Sequence, residues 1–174
     1  MKTSTFFSRL LSTGMLSLML GILGGQVAEA QRPVHLLSTT CVTTRGSSWR
    51  SESQDVAIGR EVYTSVMYIW DGGGFSCRLK TANSVPQYQT LNLGFGLQDG
   101  SRNSDDAVLS VYLDGNQVGS RSISRGQAKI WVIDVTNARS VALEVTCPSG
   151  SCSSLVRFFE ASLDSIPGSP GVRN

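Results

Sequence analysis

Val108-Leu109-Ser110-Val111-Tyr112-Leu113-Asp114-Gly115-Asn116-Gln117-Val118 decides the fold. Alternating apolar residues run into Asp-Gly-Asn and then resume. Asp-Gly and Gly-Asn tolerate the positive φ angles of a tight turn, so this stretch predicts a β-hairpin. Strand-length stretches recur outward from it, and none carries the period of a long helix. Leu91, Leu93, Phe95 and Leu97 alternate with Asn92, Gly94 and Gln98, which gives one buried face and one made of small residues. Val141, Leu143 and Val145 alternate with Ala142, Glu144 and Thr146. Residues 129–135 are apolar on both faces, as a central strand would be, which expects Trp131 in the core. Further strands are expected at 38–44, 61–70, 75–79, 118–123 and 157–163, about nine in all. That pattern is all-β: a single antiparallel β-sandwich or jelly roll.

The chain opens with an export signal. Lys2 and Arg9 precede an apolar stretch over 10–23, and Ala28-Glu29-Ala30 offers small residues at the two positions a signal peptidase reads, so cleavage is expected before Gln31. The apolar run falls short of the about 20 residues a membrane span needs. The expectation is a secreted or periplasmic protein with no membrane insertion after cleavage. Removing 30 of the 174 residues leaves 144, enough for one domain with a real core. Two cations and one anion leave with the signal, so the formal charge falls from +2 to +1. A near-neutral chain with dispersed charge argues against nucleic acid as a partner. Within the remainder, 31–53 reads as a leader and first strand, with 38–53 packing onto the domain that follows. Residues 166–174, with Pro167 and Pro170, read as a flexible tail.

Cys41, Cys77, Cys147 and Cys152 all lie in the mature part, and an even count in an exported chain implies two disulfides. Cys147-Pro148-Ser149-Gly150-Ser151-Cys152 reads as a turn closed by its own bridge, leaving Cys41 for Cys77. Zinc is disfavoured, since there is no CxxC pair and the one histidine, His35, falls in the leader. Catalysis finds no signature. Asp105 and Asp106 are adjacent and would point apart on a strand, and His35 is poorly placed for a general base.

From Gln54 to about residue 165 the chain resembles NPCBM, a carbohydrate-binding module found beside family 98 glycosidases. Four segments carry the resemblance. They are Ile58-Gly59-Arg60-Glu61-Val62-Tyr63, Leu91-Asn92-Leu93-Gly94-Phe95-Gly96-Leu97-Gln98-Asp99, the Asp-Gly hairpin, and the paired strands of 133–145. The chain departs from that pattern in its last loop, where cysteines replace Asp and His and Phe158-Phe159 stands in the aromatic place. The resemblance implies a galactose-binding-like fold and a polysaccharide or glycan partner, with no catalytic activity.

A sugar site needs an exposed aromatic face beside fixed polar groups. Trp70 with Asp71, Trp49 with Arg50, and Tyr88 between two glutamines meet that description. Against it stands the plainer reading, in which each ring caps the core. The loop containing Asp99, Asn103, Asp105 and Asp106 has the oxygen density of a calcium site, and a structural calcium is the cofactor the resemblance allows. The other reading of that loop is a solvated turn. The second functional class is an envelope or matrix domain that binds a protein and no small ligand.

Overall fold

The computed structural model describes residues 32–46, 49–81, 84–100, 106–148 and 155–167. The expected signal segment, Asn103, Asp105, Cys152 and residues 168–174 of the expected tail lie outside the described residues. Eleven strands form two antiparallel sheets: β1 (Val34–His35), β2 (Thr40–Arg45), β3 (Trp49–Ile58), β4 (Glu61–Trp70), β5 (Gly74–Arg78), β6 (Tyr88–Leu97), β7 (Ala107–Leu113), β8 (Asn116–Ile123), β9 (Ala128–Asp134), β10 (Ser140–Thr146) and β11 (Leu155–Ser165). One sheet runs β3-β4-β11-β6-β9, with β1 added to β11, and the other runs β2-β5-β10-β7-β8. Leu91, Leu93, Phe95 and Phe158 from the first sheet meet Phe75, Leu109, Val111, Val141 and Leu143 from the second, all fully buried. The β7–β8 hairpin turns on Asp114 and Gly115, both at positive φ (49° and 84°), as its sequence predicts.

Three expectations need correction. Two strands exceed the expected nine. Residues 34–35 pair with β11 rather than trailing as a leader, and Leu36 behind them is fully buried. His35 is therefore held in place: its Nδ1 accepts from the Leu37 amide, and burial lowers its imidazole pKa. The second extra strand is β3, whose polar sequence hid it. Trp131 is not in a central strand. Strand β9 is the edge of its sheet, and Ile130 and Val132 point outward with more than half their surface exposed. Apolar residues on both faces of a short run mimic a central strand, and pairing partners decide which it is.

The β3–β4 hairpin does something simple alternation does not suggest. The β3–β4 pairing shifts register between Ser51 and Gln54, and β4 pairs β11 only at Met67–Trp70. The far half of the hairpin then arches over the outer face of its own sheet. Ile58 sits over Gly96, Phe159 lies over Gly94, and Tyr63 stacks on Phe159 with centroids 4.3 Å apart. Val56 and Ile58 are thereby buried outside the main core. The Asp99 carboxylate fastens the tip, accepting the amides of Gly59 at 3.0 Å and Arg60 at 2.8 Å. A Cβ on Gly96 would stand 2.5 Å from the Gln127 carbonyl oxygen and 2.8 Å from Ile58. Gly96→Ala is expected to destabilise the fold by about 1–3 kcal/mol. Chemical denaturation should show a lower midpoint at unchanged slope.

Candidate functional site

The structure separates the three tryptophans by role. Trp49 stands at the open side where the edge strands β3 and β2 meet. Its ring packs on Phe75 at 4.7 Å, and its Nε1–H donates to Thr43 Oγ1 at 3.1 Å. Trp131 closes the opposite side between β9 and β8, against Gly119 and beneath the Arg121 guanidinium at 4.4 Å. Both rings seal seams of the sandwich. Trp70 is 54% exposed and has no such duty.

Trp70 ends β4 on the outer face of its sheet, beyond the ground covered by the arching hairpin. Tyr68, two residues back on the same face, lies 6.5 Å from it between centroids. Arg50 on β3 and Arg157 on β11 flank Tyr68 as its register partners. Arg157 is nearly buried, 5.5 Å above the Tyr68 ring, and paired to Glu52. Glu52 also accepts from the Ser65 hydroxyl, which places it in the register shift of β3. The Arg157 Nε is buried without a hydrogen-bond partner. The turn after Trp70 is bolted to the other sheet. The Gly72 amide donates to the Val145 carbonyl at 2.9 Å, and the Val145 amide donates to the Gly73 carbonyl at 3.0 Å. Asp71 sits within that turn, half-buried. An aromatic shelf, an exposed guanidinium and a fixed turn therefore share one corner.

Of the residues singled out in the sequence, Trp70, Asp71 and Arg50 converge there. Trp49 faces inward at the adjoining seam. Tyr88 lies at the opposite end of the sandwich, 8% exposed, and burial raises its phenol pKa. Tyr68 and Arg157 escaped notice, although Tyr68 shares strand parity with Trp70, the one signal that could have found it. Asp99 has both carboxylate oxygens on the hairpin amides, and Asp106 is exposed. No group of three or more His, Cys, Asp or Glu side chains suited to a metal occurs among the described residues. Cys41 and Cys77, directly opposed on β2 and β5, form a disulfide, and Cys147 is also disulfide-bonded.

At the far end, Asp114 ties the hairpin turn to β10. Burial pushes its carboxyl pKa upward. Hydrogen bonds from the Ser140 and Arg139 amides and the Ser140 hydroxyl, with the Arg139 charge, outweigh that and leave it below the ordinary 3.8. A depressed carboxyl contributes stability above the unfolded-state value and loses it as pH falls through the folded one. Asp114→Asn should therefore narrow the stability gap between neutral pH and pH below about 3.8, read as the midpoint of thermal unfolding across that range.

No family model matches the chain, and no curated protein matches it. Solved structures do. A CBM51 module from the Clostridium perfringens GH95 protein, in complex with methyl-galactose, superimposes with a TM-score of 0.60 at 14% identity, covering 76% of this chain and 99% of that one. The CBM51-2 and INT domains of Clostridium perfringens ZmpB, in complex with GlcNAc, give 0.62 at 14% identity over 78% of this chain and 32% of that one. Tandem CBM51 modules of Sp3GH98, a family 98 glycoside hydrolase from Streptococcus pneumoniae, give 0.50 at 13% identity over 90% of this chain and 52% of that one. The fold is thus a β-sandwich shared with CBM51 carbohydrate-binding modules, in keeping with the NPCBM resemblance read from the sequence.

Proposed function

We propose that this protein is an exported, non-catalytic glycan-binding module that takes a saccharide on the Trp70 corner. The observation that carries the reading is the uncovered indole. Two tryptophans seal the sandwich, and the third lies open beside Tyr68 and Arg50 on a fold that carbohydrate-binding modules share. Sugar C–H groups stack on the indole and phenol faces, while Arg50 and Asp71 offer hydrogen bonds to hydroxyls. Rigidity helps affinity, because the turn after Trp70 is already fixed to β10 and little ordering remains to be done on binding. The Cys41–Cys77 bridge fits an oxidising compartment, secreted or periplasmic. Methyl-galactose and GlcNAc are ligands of the similar modules and are the first sugars to try here.

A second reading rests on β9. Its outer edge has no strand partner among the described residues, and Ile130 and Val132 stand exposed on it. That edge suits pairing with a protein of the envelope or matrix.

The oxidised chain 31–174, screened on a broad glycan array with and without calcium, tests the first reading. Specific binding is expected, with Trp70→Ala reducing it about tenfold or more at unchanged melting temperature. Trp49→Ala should lower the melting temperature instead. Binding indifferent to Trp70→Ala, or no binding by folded protein, would contradict the proposal and turn attention to β9.

A further inference from the structure

The end of the sandwich remote from Trp70 holds a depression of about 280 Å³ on the outer face of the second sheet, bordered by Arg78, Lys80 and Arg139. The backbone sets these three cations side by side. Arg78 is the register partner of Ser140 on β10 and of Thr40 on β2. The amides of Leu79 and Lys80 both donate to the Arg139 carbonyl, at 2.8 and 3.3 Å, which locks Lys80 beside Arg139. No carboxylate forms an ion pair with any of the three among the described residues. Asp114 feels the Arg139 charge, but its Oδ1 is held by the amides of Arg139 and Ser140.

Three cations gathered on one rim repel one another and create a local positive potential in a chain of near-neutral net charge. An anion seated between them would relieve that repulsion through charge-assisted hydrogen bonds, and guanidinium groups suit planar or tetrahedral oxyanions. The rest of the lining is not that of a bare ion site. Thr40, Ser76 and Ser140 bring hydroxyls, and Val42 brings an exposed apolar side chain. Hydroxyls beside an apolar wall match a pyranose ring as well as its charged substituent. The hollow is also compact, whereas a nucleic-acid backbone needs a charged track.

We propose that the depression bordered by Arg78, Lys80 and Arg139 is a second ligand site, which holds the anionic substituent of an acidic saccharide. It does not depend on the Trp70 reading, and Trp70→Ala should leave it intact. The shared chemistry is a sulfate ester or a uronate carboxylate.

The test is affinity of the oxidised chain for heparin, for chemically desulfated heparin, for polygalacturonate and for duplex DNA at one ionic strength. The double variant Arg78→Gln/Arg139→Gln is compared with Arg45→Gln/Arg60→Gln, which removes the same charge elsewhere. Binding to heparin or polygalacturonate should fall about tenfold in the first variant and less than about twofold in the second. Preference for heparin over its desulfated form assigns a sulfate ester, and binding to polygalacturonate assigns a carboxylate. Equal loss in both variants, equal affinity for DNA, or no binding to either polysaccharide by folded protein would overturn the site.

Discussion

Everything on the outer face of the first sheet depends on two missing side chains. Strand β6 sends Leu91, Leu93, Phe95 and Leu97 into the core and shows the other side only Gly94 and Gly96 along its upper half. Phe159 and Ile58 occupy the space a Cβ would fill. The β3–β4 hairpin can therefore lie across its own sheet, capped by Asp99 and buried through Val56 and Ile58. Backbone contact this close is available to glycine alone within a strand. The arch also limits what stays open. It covers the middle of the sheet and leaves the β3–β4 end open, with Trp70 and Arg50 exposed and Tyr68 half-buried.

The sandwich has two seams, and each takes one indole. Trp49 links β3 to β2 through Phe75 and Thr43, and Trp131 links β9 to β8 through Gly119 and Arg121. Edge strands are where a sandwich admits water, and a large amphipathic ring fills such a gap while its N–H or face finds a polar partner. The same seam duty removes Trp49 from the Trp70 corner although the two are close in the sheet. The Glu52–Arg157 pair against the Tyr68 ring is a further constraint. It fixes the register shift of β3, the point at which the hairpin leaves the sheet plane.

Much of this was legible in the amino acids. The Asp114-Gly115 turn, the one-sided alternation of β6 and β10 and the even cysteine count led to a disulfide-bonded sandwich, and Cys41 does meet Cys77. Strand β3 was hidden because residues 50–55 are polar on both faces, as an edge strand permits, and Val56 and Ile58 serve the outer cluster while Trp49 alone reaches the core. Trp131 packs against the core as expected but does so from an edge strand, because alternation reports burial and cannot report neighbours. Among candidate site residues, Trp70 and Arg50 came together through cross-strand register, which single-chain patterns do not encode. Tyr88 looked exposed beside Gln87 and Gln89, yet it packs at the base of β6 under the loop after β5. Arg139 is distant in sequence from Arg78 and Lys80, and only the closing of β5 against β10 gathers their charge.

The three indoles also provide the most direct measurement. A ¹H–¹⁵N spectrum of the labelled chain carries one indole N–H signal each for Trp49, Trp70 and Trp131, and titration with methyl-galactoside or GlcNAc reads all three at once. The Trp70 signal is expected to move saturably with sugar while the seam signals stay in place. Movement of Trp49 or Trp131 with Trp70 silent, or no movement of any indole under a sugar shown to bind, would contradict it.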